Sequence, residues 1–141
     1  MKKTLTTLAT ALIMMISFSS YALANSNPLK NVSSSKMVSI YLKATTMGDT
    51  EFNQHLFAAD FEYQNMANRD KFNKRQYTNF LKANSGVKYD CKITYDILDE
   101  TANTCLAKAS MKFEHFTRVD FITLVHHKDG WKISKVVTTY P

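Results

Sequence analysis

Glycine is scarce in this chain. Only three of its 141 residues are glycine and two are proline. That excludes collagen-like and low-complexity architectures and leaves few places where the backbone turns at no steric cost. Two cysteines are too few for a disulfide-framed mini-protein. No histidine or cysteine shows recognisable zinc spacing, so neither a metal nor a cofactor is expected. Beyond residue 24 no apolar run is long enough to cross a membrane. Charge is not massed either. The lysines are scattered, whereas a nucleic-acid footprint clusters cations with aromatics on one face, so no nucleic-acid partner is expected.

What is present begins with a leader. Lys2 and Lys3 precede the apolar stretch from Leu5 to Phe18, and Ala22-Leu23-Ala24 supplies the small residues a signal peptidase requires. Residues 1–24 are therefore expected to be a secretory signal peptide, making the protein periplasmic or secreted. The residue immediately after the cleavage site is Asn25 and not cysteine, so no lipid anchor is expected. With Lys2 and Lys3 removed from 18 basic residues, against 12 acidic ones, the remaining chain carries four net positive charges. Residues 25–32 are expected to form a flexible leader, and 33–141 a single domain.

From Ser33 the pattern is helical, with Met37, Ile40, Tyr41 and Ala44 at i, i+3, i+4, i+7 and Gly48 as the stop. Asp49 is placed to cap a second short helix over "TEFNQHLF", and "DFEYQNM" alternates as a strand. Asn73 with Gln76 forms a capping-box pattern that opens a third helix, with Tyr77, Phe80 and Leu81 as its apolar stripe and Gly86 as its end. From Tyr89 the period is two. Folding "YDCKITYDIL" onto "TCLAKASMKFE" about "DETAN" sets Ile97 opposite Cys105. "RVDFITLVHH" and "WKISKVVTTY" make the last hairpin. Helices followed by a long antiparallel meander predict an α+β domain.

His126 and His127 are adjacent on a strand and point to opposite faces, so they do not ligate one metal together. A three-residue loop at Lys128–Gly130 places His127 beside Trp131. The pair reads as a hairpin end.

"FITLVHHKDGWKISKVVTTYP" resembles the closing hairpin of nuclear transport factor 2-like proteins, especially the bacterial SnoaL-like and lumazine-binding group. "YLKATTMGDTEFNQHLF" resembles their first-helix pattern, and "NKRQYTNFLK" their third helix. The resemblance spans the mature chain. It implies a cone, with three helices on the concave face of a strongly curved antiparallel sheet and a pocket at the open end. One departure matters. Members of the family often carry His-Pro-Asp after the second helix, and this chain reads Ala58-Ala59-Asp60, so the pocket histidine is absent.

Asp120 interrupts an apolar strand. Buried in the cone it would suit proton abstraction, with a tyrosine hydroxyl steadying an oxyanion. Alternatively it pairs with Arg118 or Lys135, or lies at the solvated start of the strand. Candidate pocket or ligand residues are Tyr41, His55, Tyr63, Tyr77, Tyr95 and Trp131, with core packing as the competing role for the tyrosines. Cys91 and Cys105 lie roughly 20 Å apart along the expected hairpin, too far for a disulfide, and are expected as free thiols.

The final hairpin is apolar on both faces. Val119, Phe121, Val125, Trp131, Ile133 and Val137 are expected on one, and Ile122, Leu124 and Val136 on the other. One face covers the core, and the second predicts a homodimer through the outer sheet face. The expected function is an exported small-molecule-binding module with an apolar pocket. The alternatives are an isomerase or dehydratase using Asp120 as base, and a non-catalytic structural or regulatory dimer.

Overall fold

The computed structural model describes residues 26–141; the expected signal segment lies outside them. Helix α1 (Ser34–Met47) starts where Ser33, in extended backbone, accepts a hydrogen bond from the Lys36 N–H. It ends at Gly48, whose φ of 65° lets its N–H return to the Lys43 carbonyl. The stripe Met37, Val38, Tyr41, Leu42, Ala44 is buried.

Helix α2 is a single turn, Asn53–Leu56, and strand β1 (Phe57–Asn65) follows at once. The longer second helix expected from Thr50 does not form. The Asp49 side chain accepts from the Glu51 N–H in a local turn that competes with helix. A short strand β2 (Lys71–Asn73), absent from the sequence reading, pairs with β1 across a turn in which Arg69 adopts φ 65°. Helix α3 (Lys74–Ala83) then opens on the capping box between Asn73 and Gln76.

Strands β3 (Lys92–Glu100), β4 (Thr104–Lys112), β5 (Thr117–His127) and β6 (Gly130–Thr139) complete a six-stranded sheet. Its order is β2-β1-β6-β5-β4-β3. Every neighbouring pair is antiparallel except β1 and β6, which run parallel. The core lies between the concave face and the helices, with Tyr41, Phe57, Tyr77, Met111, Ile122 and Ile133 at its centre.

Two bulges correct the expected registers. The β3–β4 turn is tight, with the Thr101 N–H bonded to the Thr104 carbonyl and Glu100 opposite Cys105. Continued unbroken, that register would set Ile97 against exposed Lys108. An irregularity between Ile97 and Asp99 restores the phase, so Ile97 faces Ala107 rather than Cys105. Cys105 is buried, Cys91 half-buried, and both are free. In β6 the register shifts around Ser134, so Ile133 is fully buried on the concave face with Ile122, Leu124 and Val136. Trp131 packs against the same core. The expected grouping of Trp131 and Ile133 with Phe121 is therefore wrong.

The β5–β6 loop has two residues, Lys128 and Asp129, not three. Trp131 accordingly sits opposite His126, their rings 4.9 Å apart, and His127 opposite Gly130. Of residues 25–32, expected as a flexible leader, the part from Asn27 docks on this hairpin end. Leu29 enters the core, and Asn27 Nδ2 donates to the Asp129 carbonyl at 2.8 Å.

Candidate functional site

Residues i and i+2 of a strand share a face, so Arg118 and Asp120 project together from the concave side of β5. Directly across on β6 stands Thr138. Asp120 is fully buried, yet neither of its oxygens lacks a partner. Oδ1 accepts from Arg118 Nε at 2.9 Å and Thr138 Oγ1 at 2.7 Å. Oδ2 accepts from the Tyr41 hydroxyl at 2.8 Å and the Arg118 terminal nitrogen at 2.9 Å. Tyr41 lends its only proton to Asp120, so the Tyr77 hydroxyl, 3.2 Å away, donates to Tyr41. Tyr63 stacks on Tyr77 with ring centres 4.7 Å apart.

Electrostatics follow from this enclosure. Burial first, then the Asp120 charge, pushes the Tyr41 hydroxyl well above its ordinary pKa. Burial raises Tyr77 and Tyr63 as well. For Arg118, burial acts to lower the pKa, but the charge and hydrogen bonds of Asp120 outweigh it. The result is a closed network of buried ion pair, hydroxyls and rings.

Proton abstraction requires a carboxylate oxygen with an open lone pair and room for a substrate beside it. Four donors meet the two oxygens of Asp120, and the rings of Phe57, Phe61 and Tyr77 pack on one another beside Tyr41, each no more than 3% exposed. This arrangement positions Asp120 as the anchor of the cone interior, the pairing with Arg118 among the roles weighed from sequence.

The other candidates are dispersed. Tyr41, Tyr63 and Tyr77 converge on Asp120. His55 and Trp131 lie towards the β5–β6 turn, where the His55 carbonyl accepts from Lys132 Nζ at 3.0 Å. Tyr95 stands on the edge strand, its hydroxyl 3.3 Å from Ser35 Oγ. Thr138 went unrecognised in the sequence, although a polar residue two positions after core Val136 is a visible signal. Among the described residues no group of three metal-binding side chains occurs, and no helix is long and apolar enough to cross a membrane.

A cavity of about 580 Å³ opens beside α2, β1 and the start of α3, walled by Gln54, Asn73, Lys74, Arg75 and Thr78 among others. Only Ala59 in its lining is apolar. The apolar pocket expected at the open end is not this cavity.

The family model described as "Putative lumazine-binding" matches residues 30–140. Among solved structures, an NTF-2 like protein of unknown function from Silicibacter pomeroyi DSS-3 superposes with a TM-score of 0.62 at 14% identity, covering 76% of this chain and 92% of that one. An NTF2-like protein from Cytophaga hutchinsonii gives 0.61 at 14% identity, with 75% and 93% covered. A ketosteroid isomerase-like protein from Erwinia carotovora atroseptica gives 0.59 at 12% identity, with 81% and 97% covered. No curated protein matches. At these identities the structural likenesses establish the fold alone.

Proposed function

From the premise that this chain belongs to the family described as "Putative lumazine-binding", on the nuclear transport factor 2-like fold, we propose that it is an exported, non-catalytic small-molecule-binding module acting as a homodimer. The observation that carries this reading is the saturation of Asp120. Among the described residues Asp120 is the one buried carboxylate, and it has donors on both oxygens, which argues against the isomerase or dehydratase alternative. Export is supported by the signal-like leader, Lys2-Lys3 followed by Leu5 to Phe18 and Ala22-Leu23-Ala24. Dimerisation is supported by the half-exposed convex residues Phe121, Val125 and Val137.

A second reading has its own support. Aromatic side chains pack across the cone interior, as a structural or regulatory dimer with a collapsed pocket requires. Native mass spectrometry of protein purified from the exported fraction separates the two. A dimer with a reproducible small-molecule adduct is expected. An adduct-free dimer favours the structural reading, and a monomer removes the sheet-face interface.

A further inference from the structure

The sheet is covered differently at its two ends. At the β5–β6 turn Leu29 enters the core and Asn27 bonds to Asp129. The opposite end carries the β4–β5 turn, the residues before β3 and the end of β6, and aromatic side chains gather there. Phe113 and Phe116 close the turn, the Phe113 N–H bonded to the Phe116 carbonyl at 2.9 Å and their rings stacked at 4.5 Å. The Tyr89 ring lies 6.1 Å from that of Phe113, and the Tyr140 ring 6.0 Å from that of Phe116. Phe116 is 52% exposed and Tyr140 44%. A contiguous row of exposed rings, unlike a single one, marks an interaction surface.

Arg118 stands level with this row. The register that sets Asp120 opposite Thr138 and Val119 opposite Thr139 continues to Arg118 and Tyr140. Arg118 holds Asp120 through Nε and Nη2, and Nη2 also lies 3.4 Å from Thr138 Oγ1. In a planar guanidinium that engagement turns Nη1 away from the carboxylate. Among the described residues Nη1 has no hydrogen-bond partner, and only Asn53 Oδ1 and Thr78 Oγ1 are both unpaired and fully buried, so Nη1 keeps contact with solvent. The charge of Arg118 is felt at the rim. Burial and then Asp90 raise the pKa of the Cys91 thiol, and Arg118 acts to lower it. Tyr41 and Thr138 share the Asp120 carboxylate with Arg118, so the guanidinium is not wholly offset and its outer nitrogen favours an anionic acceptor. The surrounding surface does not decide the sign. A cavity of about 570 Å³ beside Phe113 and Cys91 sets Lys92 and Lys112 against Asp90 and Glu114. Water would satisfy Nη1 but leave the rings bare, and an apolar molecule would cover the rings but leave Nη1 unpaired. A carboxylate carried on an aromatic ring meets both demands.

We propose that this rim binds a small aromatic carboxylate. Its carboxylate accepts hydrogen bonds from Arg118 Nη1, and its ring packs against Phe116 and Tyr140. The ligand lies across the end of the cone and not inside it, because Phe57, Phe61 and Tyr77 already pack on one another in the interior. This inference rests on the binding-module reading and gives that reading a site and a ligand class.

The test is an NMR titration of the isotopically labelled protein with benzoate, benzyl alcohol and acetate. Saturable shifts are expected at the Arg118 side chain and at the rings of Phe116 and Tyr140. Benzyl alcohol keeps the ring without the charge, and acetate the charge without the ring. Each should therefore bind roughly tenfold or more weakly than benzoate. Phe116→Ala removes a half-exposed ring outside the Asp120 network and should weaken benzoate roughly tenfold. Unchanged shifts at Tyr41 and Tyr77 would show that the variant keeps its fold, and Tyr140→Ser repeats the test from the neighbouring ring. Three results overturn the inference: no saturation by benzoate, equal affinity for benzoate and either partial probe, or full benzoate affinity in both ring variants. An adduct seen by native mass spectrometry would still uphold the binding module in each case, so the two failures are distinguishable.

Discussion

Arg118 grips Asp120 with two parallel hydrogen bonds, each 2.9 Å, in a setting where the carboxylate has no exposed surface and the guanidinium side chain only 14%. Such a pair is weak evidence of net stabilisation, because desolvation offsets much of the attraction. Breaking it is another matter. Asp120→Ala leaves Arg118 charged, mostly buried and unpaired, and also strands the Tyr41 and Thr138 hydroxyls. The expected loss is about 2–4 kcal/mol, below the top of the usual range because Arg118 retains some access to water. The double variant Arg118→Met with Asp120→Leu should lose less than Asp120→Ala alone. Urea unfolding midpoints of the three proteins check this ordering, and equal losses would remove the ion-pair account.

The tyrosine hydroxyls make a pH prediction. Tyr41 and Tyr77 are held neutral in the folded protein above their ordinary pKa of 10.0, mainly by burial. The unfolded chain releases these protons near pH 10, whereas the folded protein keeps them. Their contribution to stability is therefore fully present below pH 10 and is lost as pH rises towards the folded values. Absorbance at 295 nm should show the buried tyrosines ionising together with unfolding as pH rises above 10. Tyr41→Phe should weaken that coupling and cost about 1–2 kcal/mol at neutral pH, because Asp120 loses a donor. A Tyr41 that titrates near pH 10 in the folded state would contradict the closed network.

How much of this was legible follows from locality. Helix α1 and the opening of α3 could be read because their caps are encoded within a few residues, Ser33 with Lys36 and Asn73 with Gln76. The faces of β3 and β4 were legible from alternation, but their register was not. A tighter turn than expected, followed by a one-residue shift between Ile97 and Asp99, leaves the apolar pattern intact while Ile97 pairs two residues away from Cys105. Around Ser134 the opposite happens: alternation breaks, and Trp131 and Ile133 were read onto the wrong face. The orientation of Asp120 depended on the irregular turn before β5, which period-two reasoning cannot phase. The cavity beside α2 and α3 was hidden for a different reason. Gln54 and Thr78 are 24 positions apart and come together only through packing, with no spacing pattern to reveal them.

Two glycines that look alike in sequence should respond differently to substitution. Gly48 has φ 65°, and a Cβ there would lie 2.3 Å from the Gly86 nitrogen and 2.6 Å from that of Val87. Gly86 has φ 74° but open space around the same position. Gly48→Ala therefore combines left-handed strain with a collision against backbone. It should cost roughly 2–5 kcal/mol by separating the 84–89 segment from the end of α1. Gly86→Ala carries only the conformational term, about 1–2 kcal/mol. Thermal unfolding of both variants tests the difference, and a Gly86→Ala variant as unstable as Gly48→Ala would show that the close approach contributes little.

The convex face of β5 and β6 supplies the last prediction. Phe121 and Val137 pair across the strands there, half-exposed, with Val119 and Val125 on the same side and Lys108 Nζ 5.9 Å from the Phe121 ring. Charge added at the centre of such a face would have to be desolvated in a sheet-to-sheet dimer but stays hydrated in a monomer. Phe121→Lys should therefore yield a folded monomer where the parent chain is a dimer, with little change in far-ultraviolet circular dichroism. The edge substitution Leu98→Lys, on exposed β3, should leave the oligomeric state alone. Sedimentation velocity on the three proteins reads the outcome directly. If Leu98→Lys dissociates the dimer and Phe121→Lys does not, the interface runs along the sheet edge instead of across its outer face. A monomeric parent chain would mean that these half-exposed residues are ordinary surface, and the homodimer would fall with them.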